Sequence, residues 1–192
     1  MKPTQNWDRT TAQTGAVERL TPGGHICRIK GVEIRQSNKT GRDMLVLFID
    51  VNEGTQFDGI MERTWKAGKQ FGRDKWPNTG TMYTLLTDKD GNTNPRFKGL
   101  ISAVEKSNIG YSWRWDEMTL KGKTIGVIFG EEEFLGNDGT VRTSIKPKYA
   151  CGINELVDQP VPALKKLPES DVNGNVEQAG GFTEVQDDEL PF

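Results

Sequence analysis

At 192 residues the chain is long enough for one domain with a hydrophobic core and a tail, and too short for two ordinary domains. Its net charge of −2 divides unevenly: residues 159–192 hold two basic and seven acidic residues, a charge of −5, which leaves +3 for residues 1–158. The chain has one histidine and two distant cysteines, which argues against a zinc site, so we predict no metal or cofactor. It has no signal-peptide core and no membrane-spanning run, so we predict a cytoplasmic protein.

The chain begins with a polar arm and a long strand. Residues 1–20 are polar and lack periodicity, so we predict an N-terminal arm without regular structure. Residues 25–36 predict a strand whose inward-facing positions shift by one at Gly31. A glycine at such a shift indicates a β-bulge, and a long bent first strand is typical of small barrels.

Two further strands are predicted to complete a meander with the first. Residues 44–51 are mostly apolar and predict a second strand. Its core-facing positions alternate with positions on the opposite face, and Phe48 lies on that opposite face. Residues 60–66 alternate in the same way and predict a third strand, with Arg63 and Trp65 on one face. A packed core would not contain that mixture of side chains, so we expect this face to be exposed.

The second half of the domain predicts one helix and two strands. Residues 95–107 predict a helix because apolar side chains recur at the i, i+3, i+4 and i+7 positions. The irregular region before it includes a predicted helical turn near residues 83–86. Residues 123–129 and 140–151 predict the last two strands, and Pro147 makes the final one an edge strand or marks a break in it.

This order of elements predicts the fold. Three strands, a helix and two strands are the order of an OB-fold, a five-stranded Greek-key barrel with a helix between strands 3 and 4. We therefore predict a mainly β protein with an OB-fold over residues 21–158. Prolines and glycines interrupt the polar residues 159–192, which predicts a disordered linker with an acidic tip.

The sequence offers little support for catalysis. Residues 122–124 resemble the end of a P-loop, but the earlier glycine of that motif is missing and a strand, not a helix, follows. Four carboxylates around one turn could imitate the metal site of a nuclease: Asp50, Glu53, Asp58 and Glu62. Turns are acidic for ordinary reasons of solvation, so we predict no enzyme and keep a metal-dependent nuclease as the weaker alternative.

Binding of single-stranded nucleic acid is the better-supported function, because basic residues alternate with aromatic ones. Cations bind phosphates, and each unpaired base that stacks on a ring contributes about 1–3 kcal/mol. Trp65 and Trp76 are the favoured stacking rings, whereas packing is favoured over stacking for Phe48 and for at least one of Trp113 and Trp115. The candidate DNA-binding residues are Lys39, Arg42, Phe48, Arg63, Trp65, Lys66, Lys69, Arg73, Lys75, Trp76, Trp113 and Arg114.

The C-terminal tip predicts a contact with other proteins. Its proline prevents a helix or a central strand, so the tip stays extended and presents its apolar side chains beside a cluster of negative charge. Such a peptide suits a basic-rimmed apolar pocket on a partner, although an acidic solubility tail is the alternative. The candidate partner-binding residues are Asp187, Asp188, Glu189, Leu190, Pro191 and Phe192.

Several segments, in order, resemble single-stranded DNA-binding proteins of phages and prophages of Gram-positive hosts. They include GGHICRI at 23–29, the strand at 44–51, FKGLI at 97–101, WRWD at 113–116, and residues 120–132. The tip is similar to the acidic tip of bacterial and phage proteins of this class.

This resemblance implies an OB-fold, sequence-independent binding of single strands in the host cytoplasm, and a tip that recruits replication or recombination proteins. It implies no catalytic residues, no membrane partner and no particular stacking residues. The subunit number stays open. A recombination mediator or single-strand annealing protein is the alternative within the same substrate class, and such a protein would assemble into rings or filaments.

Overall fold

A computed structural model describes residues 19–168, and the structural statements below concern this part of the chain. Its strands and helices are β1 (Gly23–Gln36), β2 (Asp43–Val51), α1 (Ile60–Lys69), β3 (Thr81–Leu85), α2 (Pro95–Ser107), β4 (Thr124–Leu135) and β5 (Val141–Cys151). The five strands form one antiparallel sheet in the order β3-β2-β1-β4-β5. The protein is therefore mainly β, as predicted.

The predicted bulge in β1 is confirmed. The pairing of β1 with β2 shifts register between Ile29 and Gly31, and Gly31 then lies opposite Phe48. A Cβ atom on Gly31 would lie 2.9 Å from Cδ2 of Phe48, so the glycine makes room for that ring. Residues 23–28 of β1 pair with β4, and residues 27–36 pair with β2, so the two ladders overlap at Cys27 and Arg28.

The predicted helix over residues 95–107 is also confirmed, as α2. Asn94 caps its first turn by accepting a hydrogen bond from the Arg96 amide at 2.9 Å, and Pro95 fits the first turn because its missing N–H needs no partner there. The apolar stripe of α2 is buried in one hydrophobic core with inward-facing side chains of β1, β2 and β4. Within residues 19–168, no helix combines the length and apolarity needed to cross a lipid bilayer.

The prediction of a third strand at residues 60–66 is wrong, because that segment is the start of helix α1. A tertiary contact stabilises the helix: the Asp50 carboxylate on β2 accepts hydrogen bonds from the amides of Met61, at 2.9 Å, and Glu62, at 3.2 Å. These first-turn amides have no acceptor within their own helix. Arg63, predicted on an exposed face of the sheet, therefore lies on a helix with its neighbours Trp65 and Lys66.

The real third strand is β3, which includes most of the segment predicted as a helical turn at residues 83–86. It pairs with β2 from Thr81 opposite Phe48 to Leu85 opposite Met44. The order of three strands, a helix and two strands is thus kept, with α1 inserted before β3.

The sheet is open in the described part of the chain, where no hydrogen-bonded ladder joins β3 to β5. The two edge strands nevertheless approach each other, since Cα atoms of β5 lie within 8 Å of Cα atoms in β3. Helix α2 contacts β3, β4 and β5. The sheet therefore curves around a core that α2 covers.

The region predicted as a disordered linker begins with ordered contacts. After a 3₁₀ turn at Ile153–Asp158, the chain returns along β4, where the Lys165 carbonyl accepts from the Glu133 amide at 2.9 Å. The Lys165 amide donates to the Glu131 carbonyl at 3.0 Å. The backbone groups of Glu131 and Glu133 lie beyond the last residue of β4 that pairs with β1. Residues 159–168 therefore supply hydrogen-bond partners for a part of β4 that β1 does not reach. The predicted tip, Asp187–Phe192, and most of the N-terminal arm lie outside the described residues.

Candidate nucleic-acid interface

Three of the predicted site residues form a row of aromatic rings, although they come from different elements. The ring centroids of Phe48 and Trp76 are 6.4 Å apart, and those of Trp76 and Trp65 are 5.8 Å apart, with interplanar angles of 59° and 45°. Phe48 lies on β2, Trp65 on α1, and Trp76 in the loop before β3. We call Phe48, Trp76 and Trp65 the aromatic row.

Trp76 is the fixed centre of the aromatic row. Its indole N–H points at two backbone carbonyls, that of Gly80 at 3.0 Å and that of Ile49 at 3.3 Å. A Cβ atom on Gly80 would lie 2.7 Å from this indole nitrogen, so the close approach requires glycine. Trp76 also packs against the hydrophobic core. Its main role is therefore to position the two outer rings.

Phe48 lies on the face of β2 opposite the core phase, as predicted, and it is half-buried. Its neighbours are Gly31 across the bulge and Trp76. Met44 and Val46, on the same face of β2, are buried. This face is therefore partly covered, and Phe48 is an accessible position near its end.

Trp65 carries the cationic part of the aromatic row. The Lys69 ammonium nitrogen lies 4.1 Å from the Trp65 ring centroid, a cation–π geometry. Lys69 also forms an ion pair with Asp74 at 3.1 Å. Trp65 itself is half-buried, so part of its surface faces solvent.

Two more lysines share one carboxylate on α1, the helix that carries Trp65. Glu62 binds Lys66 at 2.7 Å and Lys30 at 3.0 Å. Its hydrogen bonds with Lys66 and Lys30 lower the pKa of Glu62 to about 2. The cations around Trp65 are thus held by internal carboxylates, which a phosphate group would have to replace.

The remaining predicted cations divide into two sets. Arg73 and Lys75 are exposed in the loop that leads to Trp76, and within residues 19–168 their side chains have no ion pair or hydrogen bond. Arg63 instead donates to the carbonyls of Asp58 and, at 3.0 Å, of Gln56. Arg63 therefore stabilises the turn before α1.

The β1–β2 turn contains two other predicted cations. Arg42 donates to the Thr87 carbonyl at 2.7 Å, which ties this turn to the end of β3. Lys39 is exposed at the tip of the same turn. Within residues 19–168 neither side chain has a hydrogen bond, ion pair or cation–π contact with the aromatic row, so these two residues are separate from it.

The four carboxylates that could imitate a nuclease site each have structural partners. Asp50 caps α1, Asp58 accepts from the amides of Glu53 and Gly54, and Glu62 binds two lysines. Glu53 accepts from the buried His25 ring at 2.9 Å and from the Ile26 amide at 3.0 Å. Within the described residues, no group of three or more His, Cys, Asp or Glu side chains could hold a metal ion.

Trp113 and Arg114 lie in the loop between α2 and β4, away from the elements that form the aromatic row. Trp113 packs edge-to-face on the core residue Phe97, with ring centroids 5.5 Å apart at 86°. Its indole N–H donates to the Asp116 carbonyl at 3.1 Å. Arg114 is exposed, and so is Trp115, whose ring contacts the Trp113 ring at a centroid distance of 4.8 Å and an interplanar angle of 45°.

Three residues that form contacts in this domain were not singled out from the sequence: Lys30, Tyr111 and Lys123. Lys30, at the bulge of β1, reaches Glu62 on α1, and Lys123 lies 4.2 Å over the Tyr111 ring. No local pattern could have indicated these contacts, since each joins residues from separate elements.

Comparisons with known proteins do not identify a family for this chain. No protein-family model matches it, and no curated protein matches it. The candidate interface therefore rests on its geometry and on the pattern of the sequence.

Proposed function

We propose that the protein binds single-stranded DNA without sequence preference and acts in phage replication or recombination, without catalysing a reaction. The observation that carries this proposal is the aromatic row with lysines at one end: Trp76 positions Phe48 and Trp65, and Lys66 and Lys69 flank Trp65. Rings beside cations suit a chain of exposed bases and phosphates.

The geometry favours unpaired over paired DNA. In a duplex the faces of the bases are stacked on one another, so aromatic rings can reach them only after the stack is opened. Phe48 and Trp65 lie on either side of Trp76 and offer separate surfaces to successive bases. Such stacking tolerates any sequence because every base has a π-face.

The OB-fold is part of this proposal. The curved five-stranded sheet, the approach of β3 to β5, and the position of α2 between β3 and β4 support it. OB-folds bind oligonucleotides through the face and loops of the sheet. Phe48 lies on a face of the sheet, next to the bulge in β1, and Trp76 and Trp65 extend the aromatic row to the loop before β3 and to α1.

The internal ion pairs predict how binding depends on salt. Lys66 and Lys69 exchange the carboxylates of Glu62 and Asp74 for phosphates when DNA binds. Each phosphate that is neutralised also releases counterions, so the affinity falls steeply as salt rises.

The engagement of the four turn carboxylates speaks against the nuclease alternative. Recruitment of replication or recombination proteins by the tip, Asp187–Phe192, remains a proposal from its sequence.

The test is a titration of intrinsic tryptophan fluorescence with oligo-dT, a matched duplex and oligo-U, at about 50 and 200 mM salt. We expect quenching by oligo-dT, weaker binding at the higher salt, and a clear preference over the duplex. Equal affinity for duplex and single strand would refute the proposal. Cleavage of a labelled strand on addition of Mg²⁺ would favour the nuclease, and rings or filaments seen by sizing with DNA would favour the annealing protein.

A further inference from the structure

The loop between α2 and β4 presents a tryptophan in an unusual state. Trp115 has a φ of 62°, and among residues 19–168 it is the only non-glycine residue with a positive φ. Its side chain is 76 % exposed. A bulky residue in this conformation is strained, and such strain is concentrated at functional sites. Trp115 belongs neither to the hydrophobic core nor to the aromatic row.

The exposed ring has a rigid support. One neighbour of Trp115 is Trp113, with centroids 4.8 Å apart, and Trp113 is held by Phe97 and by its indole hydrogen bond to the Asp116 carbonyl. The Trp113 amide also donates to the Glu105 carboxylate on α2 at 2.9 Å. Trp113 is therefore the packing residue of the pair, and Trp115 is the residue that faces solvent.

The same loop carries cations that lack protein partners. Within the described part of the chain, the side chains of Arg114 and Lys121 have no ion pair or hydrogen bond, and both are exposed. Lys123 lies over the Tyr111 ring. Two of the acidic residues nearby are engaged: the Asp116 carboxylate accepts from the Met118 amide at 3.0 Å, and the Glu105 carboxylate accepts from the Trp113 amide.

We propose that Trp115 is a second stacking site, which binds one unpaired nucleobase while Arg114 contacts an adjacent phosphate. This inference rests on the proposed function and divides its interface into two parts. The free π-face and the unpaired guanidinium match the chemistry of a nucleotide within a strand. The chemistry fits a nucleotide better than a second apolar protein surface, because an exposed arginine without an ion pair or hydrogen bond precedes Trp115 in the chain.

The loop reaches the sheet on the side of β1 away from β2. The Gly122 amide donates to the Ile29 carbonyl at 2.8 Å, and the Ile29 amide donates to the Lys123 carbonyl at 2.9 Å. The aromatic row approaches β1 from its β2 side, where Phe48 faces Gly31. A strand that contacts both sites therefore crosses β1 near its bulge, and exposed Arg28 lies beside this crossing.

The experiment measures the affinity for labelled dT of about 16 nucleotides, the upper site size for one OB-fold, by fluorescence anisotropy. Trp115→Ala should weaken binding about 5- to 150-fold, the range that corresponds to one lost stack. Trp115→Gly removes the ring and relieves the backbone strain, so an equal loss in this variant assigns the effect to stacking. Met118→Ala removes another exposed apolar side chain of the loop and should leave affinity unchanged.

Two further measurements separate the possible outcomes. If the two sites are separate parts of one binding path, the losses of binding free energy in Trp65→Ala and Trp115→Ala should add in the double variant. Photo-crosslinking with an iodouracil-containing strand should label the peptide that includes Trp115.

If Trp115→Ala leaves the DNA affinity unchanged while Trp65→Ala lowers it, the second site is overturned and the proposed function stays intact. A dimer of the free protein that Trp115→Ala dissociates, without a loss of DNA affinity, assigns the ring to contact between copies and also overturns the inference. Failure of the unchanged protein to prefer single strands overturns the proposed function itself.

Discussion

The ammonium nitrogen of Lys69 lies 4.1 Å from the centroid of the Trp65 ring. The cation thus covers the ring face on which a base could stack, and the ion pair with Asp74 holds it there. A base that takes this face displaces the ammonium group towards its own phosphate. In the proposed complex a base would take the position that the lysine occupies on this ring.

Replacing Trp65 by Ala should weaken binding to poly-dT by about 1–3 kcal/mol, because one stacking surface is lost. Trp65→Phe keeps a ring and should recover part of this loss. Binding is measured by anisotropy at fixed salt, with circular dichroism to check that α1 remains folded. Undiminished affinity in a folded Trp65→Ala variant would show that the aromatic row is not the binding face.

Replacing Glu62 by Gln should raise the affinity for single strands, because Lys30 and Lys66 no longer have a competing carboxylate. The salt dependence of binding should become steeper at the same time, since two more cations can release counterions from DNA. Asp158→Asn makes the same change in net charge at an exposed position, the end of the 3₁₀ turn after β5, and should have a smaller effect. Equal changes in both variants would mean that net charge alone is responsible.

The pH dependence of the Glu62 contacts follows from the direction of its pKa shift. The lysine hydrogen bonds lower the pKa of Glu62 to about 2, below the ordinary value of a glutamate. The stability that these ion pairs contribute is therefore complete above the unfolded pKa of a glutamate, about 4.3, and is lost as the pH falls through the lowered pKa. Between pH 5 and 8 the DNA affinity should therefore show no transition caused by Glu62. Its pH profile should have the same shape in the Glu62→Gln variant and in the unchanged protein.

Replacing Asp50 by Ala should destabilise the protein by about 1–2 kcal/mol, the usual cost of a lost helix cap. The amides of Met61 and Glu62 would lose their acceptor. Asp50→Asn keeps one carbonyl oxygen and should cost less. Urea denaturation measures both losses, and equal stability of Asp50→Ala and the unchanged protein would rule out the cap.

Burial raises the pKa of Asp50, against the lowering effect of its backbone hydrogen bonds. The folded state therefore holds the proton more tightly than the unfolded state. Protonation of Asp50 therefore adds to the free energy of unfolding below the pKa that Asp50 has in the unfolded chain. This contribution is lost as the pH rises through the raised pKa of the folded protein. This contribution should be absent from the pH profile of Asp50→Asn.

Removing residues 186–192 should leave DNA affinity equal or higher and abolish capture of partner proteins, because the acidic tip can compete with DNA for basic surface. Phe192→Ala is the matched control: it keeps every charge and should lose partner capture alone. Pull-down with replication and recombination proteins, beside a DNA titration, measures both effects. An unchanged set of captured partners after removal would contradict the role of the tip.

Elements with strong local patterns could be predicted from the sequence. Helix α2 combines an apolar stripe of helical period with Pro95 in its first turn, and both signals are local. The bulge in β1 is readable because Gly31 stands where the inward phase shifts. In both cases the information lies within a few neighbouring residues.

The segment at 60–66 shows where local reasoning ends. Its alternation of apolar and polar residues is short enough to fit a strand or a helix, and the deciding contact comes from Asp50 on another element. The assignment of roles among the tryptophans has the same origin. Trp76 is a support because the carbonyls of Ile49 and Gly80 meet its indole N–H.

The sequence by itself determined the strand-rich composition of the domain, the position of α2, the bulge, and the concentration of aromatic and basic residues. Only the tertiary structure decided which rings meet, which lysines are held by carboxylates, and which tryptophan of the Trp113–Trp115 pair is exposed. The physical reason is one of range. Periodicity and turn chemistry act between near neighbours, whereas ring contacts, caps and ion pairs form between residues that folding brings together from distant parts of the chain.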